Sequence, residues 1–225
     1  MIHHTTARTS ILIVLAVALA GCGSFTASRT PSPPGTMSAS APATSGSMVT
    51  ANGAGWTASG GLEGPTYEPA GCHVGAGVFR NQAQPLPDPH CTPGAVDPGV
   101  TQANIAQTIC RPGGYTSTVR PPERLTEPVK LALMRDYDVV SSPAGYELDH
   151  LVPLGLGGAS DTRNLWPEKD VGRTSAYVRN AKDQIETDLH AAVCSGHISL
   201  AAAQQAIAGN WTTAEQALGV AFASS

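Results

Sequence analysis

Four cysteines, Cys72, Cys91, Cys110 and Cys194, set the tightest limit on what this chain can fold into. Arg8 precedes an apolar run, Ile11 to Ala20, with no acidic residue ahead of it. That run is shorter than the ~20 residues a membrane-spanning helix needs, and it suits the hydrophobic region of a secretory signal. An exported chain meets an oxidising environment, so an even number of cysteines implies two disulfides. Three pairings are open. The preferred one joins Cys72 to Cys91 across a proline-rich stretch and Cys110 to Cys194, tying the start of the core to the end of a late helix. A zinc reading competes, because His73 follows Cys72 and His90 precedes Cys91, but there is no Cys-x-x-Cys pair to support it.

The run Leu19-Ala20-Gly21-Cys22 resembles a bacterial lipobox. That resemblance implies cleavage after residue 21, a lipidated Cys22 and a cell-envelope location on the membrane, with release to the outside as the alternative. Residues 22–61 are mostly Ser, Thr, Ala, Gly and Pro. Such a stretch buries too little apolar surface to offset its ordering entropy and reads as a flexible tether. Residues 62–113, rich in Pro and Gly, read as a loop-rich, disulfide-containing lead-in, and residues 114–225 as the main domain. The roughly 160 residues after the tether are enough for one domain with a real core. The mature chain has no transmembrane helix by this reading, and its oligomeric state is not legible.

Without the signal, 12 of the 13 Lys and Arg remain against 17 Asp and Glu, a net charge of −5. A nucleic-acid binder usually carries a basic surface, and this chain as a whole does not. One stretch differs: Arg111, Arg120, Arg124, Lys130 and Arg135 face only Glu123 and Glu127 in sequence. It could supply a local phosphate-binding strip, or simply a solvated face.

Local patterns set further expectations. Thr101 to Ile109 reads as a short strand or turn, and Tyr115 to Val119 as a β-prone run stopped by Pro121-Pro122. Thr126 is placed to cap a helix ending near Tyr137. Tyr146 to Val152 reads as a strand and Gly155 to Asp161 as a turn. From about Thr174 an apolar periodicity (Ile185, Leu189, Val193) predicts a helix ending at Cys194-Ser-Gly196. Ser199 caps a second helix, and Trp211 opens a short apolar piece. Trp166 reads as a core anchor. Lys182, Asp183 and Glu186 read as a solvated or ion-paired face, and His190 and His197 as surface residues.

The chemistry concentrates in Glu147 to Glu168. An adjacent carboxylate and imidazole, Asp149-His150, lead through the Gly157-Gly158 turn to Asn164-Leu-Trp. An imidazole with an unperturbed pKa near ~6.5 suits a general base. A carboxylate suits a hard divalent ion.

The run Asp149-His150-Leu-Val-Pro-Leu-Gly-Leu-Gly-Gly followed by Asn164-Leu-Trp-Pro-Glu resembles the HNH endonuclease family of the ββα-metal superfamily. Cys91 to Gly94, Thr108 to Cys110, Ser117 to Pro122, Lys182-Asp183-x-x-Glu186 and Val193-Cys194-x-Gly196 extend the likeness to exported bacterial members. The resemblance implies an α+β fold: a small ββα-metal core with additional helices and a disulfide-stapled, loop-rich N-terminal lead-in. It implies an exported metal-dependent endonuclease that hydrolyses phosphodiester bonds of DNA and/or RNA with little sequence specificity. His150 would be the general base, and Asp149 a ligand to one divalent ion, Mg2+ or Mn2+ before Zn2+ or Ca2+. Asn164 would either complete the metal shell or hold the loop that aims His150.

Many family members place a further ligand about nine residues beyond the central Asn, where this chain has Arg173. Asn180 is the substitute ligand, with Asp183 behind it. This departure and the acidic balance keep a second class open: a non-catalytic envelope lipoprotein that uses the same scaffold to bind a metal or a partner.

Overall fold

The structure, a computed structural model, describes residues 47–171 and 180–220. The signal run, Cys22, most of the tether, Arg173 and the expected helix start at Thr174 lie outside the described residues.

The late apolar periodicity builds the core. Helix α3 (Ala181–Cys194) turns Ile185, Leu189 and Val193 inward. Helix α4 (Leu200–Asn210) meets it with Leu200, Ala203 and Ile207. Both sets follow the spacing that puts residues on one helical stripe. Ser199 Oγ accepts from Ala202 N at 3.2 Å, the expected N-terminal cap. Trp211 is fully buried between these helices and the lead-in, and its Nε1 donates to Pro85 O at 3.0 Å. A short helix α5 (Ala214–Leu218) follows.

Among the described residues, four two-stranded sheets complete an α+β fold. The first pairs β1 (Val49–Thr50) with β6 (Ala95–Val96), and the second β2 (Trp56–Thr57) with β3 (Gly61–Leu62). Strands β4 (Gly75–Phe79) and β5 (Gln82–Leu86) form a hairpin whose turn residues, Arg80 and Asn81, both have positive φ, as a tight two-residue connection demands. Strands β7 (Tyr146–His150) and β8 (Leu165–Lys169) form the hairpin that carries the motif. The lead-in is otherwise loop, as its Pro and Gly content predicts.

Three local expectations are corrected. Residues 47–61, assigned by composition to the tether, belong to the fold: β1 pairs with β6, and Trp56 Nε1 donates to Val119 O at 2.7 Å. The β-prone run forms a helical turn, α1 (Thr116–Val119), because Arg111 holds Gly114 O and Thr118 Oγ1 together and Thr118 Oγ1 bonds Tyr115 O. Helix α2 (Glu123–Asp136) starts three residues before Thr126, from Pro122. Pro128 therefore sits in its second turn, and Leu133 and Met134 face the interior.

Both preferred disulfides are present, Cys72–Cys91 and Cys110–Cys194. They point to an oxidising, exported environment. Among the described residues no helix is long and apolar enough to cross a membrane.

Candidate functional site

Successive residues of a strand face opposite sides of a sheet. Asp149 and His150 are neighbours on β7 and so part company. Opposite them on β8, Asp149 pairs with Trp166 and His150 with Leu165. Glu147, Asp149, Trp166 and Glu168 share the face toward α3; Leu148, His150 and Leu165 share the other.

On the α3 face the central group is a lysine. Lys182 is fully buried, and its ammonium has three acceptors: Asp149 Oδ2 at 2.9 Å, His150 O at 2.8 Å and Glu186 Oε1. Three N–H donors meet three acceptors, so the charge is fully solvated by protein. Burial alone would lower its pKa, but Asp149, Glu186 and Glu168 outweigh it and the net shift is upward. The carboxylates still outnumber their cation. Burial, then Asp149, push Glu147 up to about 7. Burial also raises Glu168 to about 10 and Glu186 to about 7, although Lys182 opposes both shifts. Of the two readings of this helical face, solvated or ion-paired, Lys182 and Glu186 take the ion-paired one, and Lys182 does so buried. Its place in the helical pattern beside Ile185 and Glu186 was the available signal.

On the opposite face, His150 Nε2 lies 2.9 Å from Ser160 Oγ, and Ser160 is itself fully buried. His150 is 8% exposed and faces a cavity of about 180 Å³. Leu62, Pro121, Leu148 and Leu165 give this cavity apolar walls; Arg120, Glu123 and Thr126 add polar groups. Burial, with smaller contributions from Arg120 and Lys182, holds the imidazole pKa down to about 3. It is neutral across the physiological range. Ser160 was not singled out from the sequence, whereas Arg120 belongs to the basic stretch read there as a candidate phosphate-binding strip.

The loop between the strands is held by Asn164, which is fully buried. Its Oδ1 accepts from Val152 N, and its Nδ2 donates to Val152 O and Ala159 O, each at 2.9 Å. Of its two anticipated roles, this geometry fits the loop holder. Gly157 has a positive φ of 73°, as a turn glycine should. Gly158 is required for a different reason: a Cβ there would lie 1.8 Å from Val152 O.

Asn180 caps α3. Its Oδ1 accepts from Val171 N at 2.9 Å, its Nδ2 donates to Glu147 Oε1 at 2.6 Å, and its backbone N–H donates to Asp183 Oδ2 at 2.8 Å. Glu147 therefore serves the cap and does not orient His150, which lies on the other face. Asp149 Oδ2 is shared by Trp166 Nε1 and Lys182 Nζ, each at 2.9 Å. The donor set Asp149, Asn164 and Asn180 does not fit a divalent ion, because each amide is committed to backbone or to Glu147, and the cation beside Asp149 is an ammonium.

A different group could hold a metal ion: Cys110, His190 and Cys194 place one ligand atom each within 4.8 Å of one another. Both sulfurs are joined in the disulfide, and His190 Nε2 lies 2.9 Å from Ile109 O and 3.4 Å from Cys194 Sγ. His190 is thus part of the disulfide's surroundings and not the surface residue its sequence context suggested; His197 is exposed as expected. No protein-family model, curated protein or solved structure matches this chain, so the HNH resemblance rests on the motif residues alone.

Proposed function

We propose that this protein is an exported endonuclease of HNH type, hydrolysing phosphodiester bonds of DNA and/or RNA with His150 as general base. One observation carries the reading: a neutral imidazole, 2.9 Å from Ser160 Oγ, faces a cavity whose lining includes Arg120. In the tautomer that donates Nε2–H to Ser160, Nδ1 keeps the lone pair and takes the proton of an attacking water. The water oxygen bonds to phosphorus, the bond to the leaving oxygen breaks, that oxygen takes a proton from solvent, and Arg120 offsets charge on the non-bridging oxygens. An imidazole with so low a pKa is a weak base, and the entering phosphate corrects this, since a nearby anion favours the protonated form.

The divalent ion implied by the resemblance, Mg2+ or Mn2+ before Zn2+ or Ca2+, is not fitted by the donor set Asp149, Asn164 and Asn180. No step is assigned to it. The Lys182–Asp149 ion pair favours a second reading, in which the hairpin and helix serve as a non-catalytic envelope scaffold. In both readings Cys22 is the proposed lipid anchor.

The test is cleavage of plasmid DNA and of RNA by the full chain, disulfides intact, at low salt. Magnesium, manganese, calcium, zinc and chelator form the series, with His150→Ala beside the parent. Cleavage that disappears in His150→Ala supports the enzyme. Intact substrate under every condition, from protein with an unchanged circular dichroism spectrum, leaves the scaffold reading.

A further inference from the structure

Arg120 borders two cavities. The first is the His150 cavity; the second, of about 330 Å³, is lined by Tyr115, Glu186 and His190 among others. We infer that the two form one track for single-stranded nucleic acid, with a base seated on each side of Arg120 and the intervening phosphate held between Arg120 and His150. The inference rests on the proposed phosphodiester chemistry and adds the substrate class to it.

The physical case begins with access. His150 is 8% exposed, and it faces a cavity of about 180 Å³ that is walled by Leu62, Pro121 and Leu165. A duplex is a rigid cylinder and keeps its bases stacked inside. Its phosphate would have to reach a buried imidazole without any base entering the cavity. A single strand can splay its bases and feed one into an apolar pocket, with the energetic return of burying a flat ring against aliphatic side chains.

The second cavity is lined by Tyr115, an aromatic side chain of the kind on which any base can stack. Tyr115 is half-buried there, and the Arg111 guanidinium lies 5.6 Å from its ring centroid. A cation over an aromatic ring adds positive charge beside the path of the phosphates. The basic stretch that stood out in an otherwise acidic sequence thereby gains a structural location. Arg120 lines both cavities, while Arg111 sits beside Tyr115 with its guanidinium bonded to Gly114 O and Thr118 Oγ1. Trp56 reinforces the placement, because its bond to Val119 O fixes the residue just before Arg120.

Binding and cleavage are measured separately on the full chain with its disulfides intact, at low salt where phosphate contacts are strongest. The probes are a short fluorescein-labelled DNA single strand, the same strand in RNA, and the blunt DNA duplex, read by anisotropy. Expected is binding of the single strands at least about tenfold tighter than the duplex, weakened roughly 5- to 100-fold by Tyr115→Ala. Thr126→Trp, which fills the first cavity from α2, should weaken binding similarly. It keeps the test decisive if Tyr115→Ala fails to fold. Duplex binding as tight as single-strand binding, or no effect of either folded variant, overturns the track. Tight single-strand binding without cleavage upholds the track and sinks the hydrolytic reading. Equal cleavage of single strand and duplex does the reverse.

Discussion

Lys182 Nζ lies 2.9 Å from Asp149 Oδ2 with its own side chain fully buried, so the acidic residue of the motif is paired with an ammonium. Removing one partner of a buried ion pair leaves the other uncompensated, which is costlier than replacing both. Here one ammonium also restrains Glu186 and Glu168. Lys182→Met is therefore expected to destabilise the protein by roughly 3–5 kcal/mol. Urea denaturation of variant and parent at one pH would show it, and an unchanged midpoint would remove Lys182 as the keystone of this face.

Stability should also respond to pH in an unusual direction. Glu147 and Glu186 have folded pKa values of about 7, above the ordinary carboxylate value of 4.5. Between those values the folded chain holds more protons than the unfolded one. Their contribution is full below pH 4.5 and is lost as pH rises through 7. His150 acts oppositely, since its folded pKa of about 3 lies below 6.5, and the chain loses stability as pH falls through that interval. The expected result is maximal stability in the mildly acidic range. Glu147→Gln should flatten the decline on the alkaline side in denaturation midpoints taken across the pH range.

Asn164→Ala should cost roughly 2–4 kcal/mol, because it strips three buried backbone partners of their bonds at once. Calorimetric titration with divalent metals should give the same trace as the parent protein, whereas loss of a metal ligand would change it. A large loss of metal binding in a stably folded Asn164→Ala protein would restore the ligand role.

The two disulfides should differ in weight. They close loops of 19 and 84 residues, for which chain entropy alone gives about 3.2 and about 4.6 kcal/mol. Replacing Cys110 and Cys194 together by Ser should lower the melting temperature more than replacing Cys72 and Cys91.

Zinc affinity should be governed by the same cystine. Thiolates bind zinc and a disulfide does not, so Cys110, His190 and Cys194 should bind Zn2+ only after reduction. Calorimetric titration before and after treatment with a phosphine reductant checks this. Equal binding in both forms would place the metal elsewhere.

What the sequence revealed and what it hid follow from the range of the forces involved. The cap at Ser199, the stripe Ile185-Leu189-Val193 and the strand from Tyr146 are local, and local rules found them. Period-two alternation along Tyr146–His150 already separated Asp149 from His150, although their adjacency invited a shared site. Lys182 was hidden because its burial depends on carboxylates from β7, β8 and its own helix arriving together. Tyr115 to Val119 has β-branched residues, but Arg111 and the Gly113-Gly114 turn, distant in no simple periodic way, wind it into α1.

Residues 47–61 read as slack, and the contacts say otherwise. Ala54 O accepts from Ser160 N at 2.7 Å, and Ser160 in turn holds His150. A Cβ on Gly55 would lie 2.8 Å from Asp161 N, so this stretch passes where larger residues have no room. A chain trimmed to begin at residue 62 would lose the support behind its own imidazole. The plain composition there is a demand of fit, and domain edges drawn from low complexity alone would cut through it.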